Sequence, residues 1–232
     1  MIFIGGGSLL WRAVRVAVQS RHTVDLVCVG RGESIPPGPH SFEVLVSDDV
    51  IAEHERIHAA CSDGVVWSIN NSWILKPPLV RPDSRIYNIH NGPLPAFRGR
   101  PEVAIVHALL AGETSYGASL HEVDCGIDTG PVVDVESFDV GPQDRFQDVM
   151  MSGLRACHTL FERNLDAVID GHAKPLPASS EPSGYYGRNR IKTLTDHRQN
   201  PNYERATALG VFSPIYPELV AALEHNARSA AS

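Results

Sequence analysis

Apolar positions in the first ninety residues recur with two periods. Residues 1–5 and 23–29 (TVDLVCV) are short apolar runs, the pattern of buried strands. Between them Leu10, Ala13, Val14, Ala17 and Val18 recur at helical spacing, after a Gly5-Gly6-Gly7 turn and an N-cap at Ser8. The pattern predicts an amphipathic helix over 8–20. Strand, glycine turn, helix and strand open an α/β domain with parallel strands. A weak strand over 42–46, a helix over 48–61 with acidic residues in its first turn, and buried strands over 64–69 (GVVWSI) and 85–90 (RIYNIH) continue it.

Residues 91–99 (NGPLPAFRG) cannot be regular, because two prolines and two glycines interrupt them. A helix over 101–111 follows, with Pro101 suited to its first turn. Residues 115–123 alternate as a strand, 125–130 (CGIDTG) form a loop, and 131–138 read as a hairpin-paired strand. One long helix spans 143–170, with Met150, Leu154, Cys157, Leu160, Phe161, Leu165 and Val168 as its apolar stripe. After Gly171 prolines punctuate the chain. The expected organisation is one domain over 1–172 and an extension over 173–232, packed on that domain or forming a homodimer contact. A last short helix is expected over 218–227, before a frayed end (ARSAAS).

Composition narrows the class. The 232 residues are 43% hydrophobic and 20% charged, ordinary for a globular chain, and no apolar run approaches the ~20 residues that span a bilayer. Lys+Arg number 20 against 27 Asp+Glu, a net charge of -7, which disfavours nucleic acid as a partner. Neither nucleic acid nor a membrane is expected to bind. Cys28, Cys61, Cys125 and Cys157 are scattered without a CxxC pair, which argues against a disulfide scaffold or a cysteine zinc site. Free thiols and an apolar start with no basic leader suit the cytoplasm, so the sequon at Asn70-Asn71-Ser72 is idle.

Three motifs carry candidate chemistry. Backbone N–H groups of Gly5-Gly6-Gly7-Ser8, ahead of a helix, could hold a phosphate or carboxylate. The run is neither a dinucleotide fingerprint nor a P-loop, since Leu10 stands where GxGxxG needs glycine and no GK[ST] follows. His54-Glu55-Arg56-Ile57-His58 matches HExxH on a predicted helix, but a third ligand is missing. Cys61 stands where the longer zinc motif needs glycine, and Val50, His54, Ile57 and Cys61 read as the stripe of an ordinary helix. No metal is expected. The third constellation is Asn88 and His90, which share one face at the end of a strand, with Asp128 in a glycine-flanked loop downstream. An amide and an imidazole can stabilise an oxyanion, and a carboxylate can orient the imidazole, which is what acyl transfer needs. A capping Asn, a satisfied His and a turn Asp account for the same spacing.

IYNIHNGPLPAFRG followed by GIDTGPVV resembles the core of the formyltransferases that use N10-formyltetrahydrofolate. The similarity spans roughly residues 1–140 and is sharp over 67–133. It implies a Rossmann-like, mostly parallel sheet flanked by helices, with a short C-terminal extension. It implies a catalytic triad of Asn88, His90 and Asp128. Folate contacts are implied at Trp73, Ile74 and Leu75 and, on a second wall, at Val123, Asp124, Gly126 and Ile127. Acceptor contacts are implied at Gly6, Gly7, Ser8, Pro93 and Arg98, and Arg100, Tyr185, Tyr186 and Arg188 are further candidates. The implied reaction moves a formyl group to a primary amine of a small acceptor, an amino sugar nucleotide or an amino-acid-type intermediate. The acidic chain, with about 60 residues after the long helix, argues against tRNA as acceptor. A formyl-folate hydrolase and a non-catalytic folate- or carrier-binding member are the alternatives.

Overall fold

The computed structural model describes residues 1–229; the last residues of the expected frayed end, 230–232, lie outside the described residues. In chain order the elements are β1 (Ile2–Gly5), α1 (Gly7–Gln19), β2 (Leu26–Val29), β3 (Glu43–Val46), α2 (His54–Ala60), β4 (Val65–Ile69) and β5 (Arg85–His90). They continue with β6 (Arg98–Gly99), α3 (Pro101–Ala111), β7 (Ser115–Glu122), β8 (Val132–Asp139) and α4 (Phe146–Ile169). Last come β9 (Tyr185–Tyr186), two 3₁₀ turns, α5 (Tyr203–Thr207), a third 3₁₀ turn and α6 (Pro217–Ser229). The chain divides into two compact units. One comprises Met1–His90, Ser119–Glu136 and Cys157–Ser179; the other comprises Asn91–Ala118, Ser137–Ala156 and the chain from Ser180 onward.

The first unit is built on a sheet of order β3-β2-β1-β4-β5-β7-β8. β1, β2, β3, β4 and β5 pair in parallel, and β7 runs antiparallel to β5. This is the mostly parallel Rossmann-like sheet expected. Side chains alternate across it. Ile2, Ile4, Leu26, Cys28, Val66 and Ile86 pack with Leu45, Val50, Ile57, Leu75 and Leu79 on one face. Phe3 and Trp67 meet Phe161 of α4 at 5.8 and 4.9 Å between ring centroids. The strand order reverses between β1 and β4, so the carboxyl ends of β1, β4 and β5 mark the crevice where open α/β sheets place their ligands.

The second unit centres on α3, which is apolar all round. Val103, Ala104, Ile105 and Val106 are fully buried, the condition of a core helix rather than a surface one. Pro101 occupies its first turn, and Gly112, at φ 77°, stops it in the left-handed conformation. Ile191, Leu194, Ala206, Phe212 and Leu219 share this core with α3, Tyr116 and Phe146. β6 and β9 pair in parallel beside them.

α2 starts six residues later than its pattern predicts. The helix read over 48–61 is helical only as α2, from His54. The Asp49 carboxylate accepts the N–H groups of Ile51 and Ala52 at 2.9 and 3.4 Å, and these local bonds give residues 49–53 a turn instead of a first helical turn.

Candidate active site

β5 places Asn88 and His90 two residues apart, on one face at the carboxyl edge of the sheet. Register then sets their neighbours. Asn88 lies opposite Ser68 of β4 on one side and His121 of β7 on the other, and His90 lies opposite Ser119. Ser68, Asn88 and His121 thus form one row across three strands. Asp128 comes to this row from the loop after β7, with a left-handed backbone at φ 51°.

The row is held by hydrogen bonds that run in one direction. Asn71 Nδ2 donates to Ser68 Oγ at 3.2 Å. Ser68 Oγ donates to Asn88 Oδ1 at 2.8 Å. Asn88 Nδ2 lies 3.0 Å from His121 Nε2, and His121 Nδ1 lies 2.8 Å from the Glu122 carbonyl. A carbonyl only accepts, so the His121 proton sits on Nδ1, and Nε2 accepts from Asn88. Both orientations of the Asn88 amide are thereby decided: its oxygen is used by Ser68, and one of its two N–H groups is left to donate elsewhere.

Asp128 stands between two imidazoles. One carboxylate oxygen is 3.6 Å from His90 Nδ1 and the other 3.6 Å from His121 Nε2. Both rings are buried, and the Asp128 side chain is 13% exposed, so its carboxylate is little screened from them. Nδ1 of His90 is thus the ring atom turned to Asp128. The three expected catalytic residues therefore share one cluster. Ser68 and His121 belong to it as well and carry no signal in the sequence, since cross-strand register brings them in.

The expected folate walls lie in the same unit. Trp73 N accepts nothing but donates to Asn71 Oδ1 at 2.8 Å, and Trp73 Nε1 donates to the Asp48 carbonyl at 3.2 Å. Leu75 is buried in the sheet core, whereas Ile74 is 59% exposed. Val123 N donates to the Ile86 carbonyl at 2.8 Å, which ties the second wall to β5. Asp124 Oδ1 accepts from Gly126 N and Thr129 Oγ1 at 2.9 and 2.7 Å, and Ile127 is 36% exposed. Two large apolar side chains, Ile74 and Ile127, are thus left uncovered on the segments that adjoin Ser68 and Asp128.

The glycine turn departs from its expected open form. A Cβ on Gly5 would lie 1.8 Å from the Ile69 carbonyl oxygen, so only glycine fits beside β4. Gly7 N, at the start of α1, donates to Glu33 Oε1 at 2.8 Å. A carboxylate of the chain itself already occupies the helix N-terminus where an acceptor phosphate was anticipated at Gly6, Gly7 and Ser8.

Pro93, Arg98, Arg100, Tyr185, Tyr186 and Arg188 lie in the second unit. The Pro93 carbonyl accepts from Phe97 N, and Arg98 N donates to the Gly184 carbonyl, both at 3.0 Å. The Arg98 guanidinium lies 5.9 Å from the Tyr185 ring centroid. Arg100 joins Glu102 and Glu218 at 2.7 and 2.8 Å, and Arg188 pairs with Glu218. Of the HExxH pair, His58 Nε2 donates to the Leu79 carbonyl at 3.0 Å. Among the described residues no group of three His, Cys, Asp or Glu is placed to hold a metal ion. Among them, too, no helix is long and apolar enough to cross a membrane.

Comparison with known proteins points to one family. Residues 55–165 match the formyl transferase family. A methionyl-tRNA formyltransferase of Parafrankia sp. is 35% identical over 199 residues, 77% of this chain and 62% of that protein. One from Salinispora tropica is 29% identical over 198 residues, 78% of this chain and 63% of that protein. The chain thus spans less than two thirds of these relatives' length. Among solved structures, an N-formyltransferase from Helicobacter canadensis, in complex with folinic acid and dTDP-3-aminofucose, superposes with a TM-score of 0.69 at 18% identity. The match covers 88% of this chain and 79% of that one.

Proposed function

We propose that this chain, which matches the formyl transferase family over residues 55–165, transfers a formyl group from N10-formyltetrahydrofolate to a primary amine of a small acceptor. The observation that carries this reading is the Asn88, His90 and Asp128 cluster on one edge of a parallel sheet.

The folate, when bound, supplies a formyl group activated on nitrogen. Ile74 and Ile127 suit its flat ring, because they are apolar and uncovered on segments beside the cluster. The backbone of 73–75 and of 123–127 would complete that hold. Asn88 contributes its remaining N–H to the oxygen on which negative charge develops as the amine bonds to carbon. Its amide cannot turn away without losing both Ser68 and His121. His90, when protonated on both ring nitrogens, donates from Nε2 to the same oxygen. Asp128 keeps His90 Nδ1 protonated, and it receives the amine's proton directly or through water and passes it to the folate nitrogen as the bond from that nitrogen to the formyl carbon breaks.

An amino sugar nucleotide is the acceptor class we favour, with an amino-acid-type amine next. The Helicobacter canadensis neighbour holds a dTDP-amino sugar, and a net charge of -7 is unsuited to a long polyanion such as tRNA. The decisive measurement is formyl transfer by wild type and Asn88→Ala with a panel of amino sugar nucleotides and ornithine-type amines. Loss of one oxyanion donor is expected to cost roughly 10²–10³ in rate with the fold intact. A wild-type rate in Asn88→Ala would overturn the mechanism. Formate release without any amine would identify a hydrolase instead.

A further inference from the structure

One face of α1 departs from the pattern of a surface helix. Leu10, Ala13 and Ala17 are buried, as an amphipathic helix requires. Trp11 and Val18 lie outside that stripe, and Val18 is 39% exposed. Opposite them runs the proline-rich segment 33–42, and a cavity of about 640 Å3 lies between the two. That volume is in the range of small-molecule sites, which run to roughly 300–1,000 Å3. Gly7 and Gln19, at its two ends, are about 18 Å apart along the helix axis at 1.5 Å per residue, enough for a nucleoside diphosphate.

Three features of the lining give the chemistry of the occupant. Trp11, His40 and Phe42 form a stack, with centroid separations of 6.2 and 4.9 Å and ring planes within 18° and 20° of parallel. His40 Nε2 donates to the Pro36 carbonyl at 3.1 Å, which fixes the middle ring. A fourth flat ring extends such a stack. Next, Trp11 Nε1 is buried and finds no acceptor among the described residues. A buried donor without a partner costs free energy, and a small turn of the Trp11 ring toward the groove would let a ring carbonyl of a ligand accept from it. Finally, Arg12 and Arg15 line the groove exposed, with no ion pair among the described residues, in a chain that is acidic overall. Their field reaches His158, whose pKa is lowered by burial first and by Arg12 and Arg15 in addition, against the opposing pull of Glu162. The acidic residue in the lining, Glu33, is bonded to Gly7 N. An anion is therefore directed to the guanidiniums and away from the helix N-terminus.

We propose that this groove binds a nucleoside diphosphate, with its base on the Trp11–His40–Phe42 stack and its phosphates on Arg12 and Arg15. The same group is carried by an amino sugar nucleotide acceptor and by a free nucleotide; the first source rests on the formyl-transfer reading, and the second does not.

Calorimetric titration of the full chain with thymidine diphosphate and uridine diphosphate tests the site without turnover. Saturable binding of at least one is expected, weakened tenfold or more in Trp11→Leu and in the Arg12→Ala/Arg15→Ala double variant. Trp11→Phe keeps a ring but loses the N–H, and should fall between. The arginines are exposed, so the double variant decides the matter even if Trp11→Leu does not fold. The proposal is overturned if neither diphosphate binds, if binding is the same in the arginine variant, or if p-aminobenzoylglutamate binds there and the nucleotides do not. In formyl transfer to an amino sugar nucleotide, a raised KM at unchanged kcat in the arginine variant assigns the groove to the acceptor. An unchanged KM, with diphosphate binding still lost, assigns it to a free nucleotide. A protein that binds the diphosphate and transfers no formyl group would refute the functional reading alone.

Discussion

The amide of Asn88 is useful only in one orientation, and that orientation is set by its neighbours. Ser68 Oγ gives its proton to Oδ1, and His121 Nε2 accepts from Nδ2. If His121 becomes leucine, nothing on that side holds the N–H pair, and the amide loses about one hydrogen bond's worth of preference, on the order of 1 kcal/mol. His121→Leu should then lower kcat roughly fivefold, with KM for the folate little changed. His121→Gln, whose side-chain oxygen can accept from Asn88, should recover part of the loss. Equal losses in both variants would mean that His121 only fills space. The sequence made Asn88 and His90 legible because one strand carries both, two residues apart. It could not show Ser68 or His121, since pairing register joins residues 20 and 33 positions away from Asn88.

Elements whose signals are local were read almost to the residue. β5 and α3 follow from an apolar run and from a proline start, and the structure places them at Arg85–His90 and Pro101–Ala111. Where a side chain competes with the backbone, the pattern misled, as Asp49 did at the start of α2. The glycine turn before α1 reads as an open anion site for the same reason: no local signal announces a carboxylate 26 residues further on. Glu33 now does for α1 what an N-cap side chain does, because Gly6 has none to offer. Glu33→Ala should destabilise the protein by about 1 kcal/mol, or about 2–4 °C in Tm for a chain of this size. Glu33→Gln, which still presents an oxygen to Gly7 N, should lose less. A thermal melt of the three proteins measures this, and identical melting points would show that the Glu33 contact contributes nothing to stability.

At the scale of the whole molecule, charge and burial act together as pH falls. The formal net charge is -7 at pH 7 with the eleven histidines counted neutral, and the sequence pI is about 5.8. Two of the histidines resist protonation. Burial holds the pKa of His107 below its ordinary 6.5, with Arg190 and His197 adding to the effect against a backbone hydrogen bond that opposes it. His158 is held below 6.5 mainly by burial too. The native state therefore binds fewer protons than the unfolded chain in the window just below 6.5. Stability from these two groups is complete above 6.5 and is lost as pH falls through their lower native values. Self-repulsion and solubility meanwhile fade toward the pI. The protein should melt at its highest temperature above pH 6.5 and progressively lower toward pH 5, with light scattering greatest near 5.8. His107→Gln removes one of the two resisting groups and should flatten the fall in Tm, whatever it does to Tm at pH 7.5. A slope as steep in the variant as in wild type would assign the acid response to other groups, and a flat wild-type profile would contradict the burial of neutral His107 and His158.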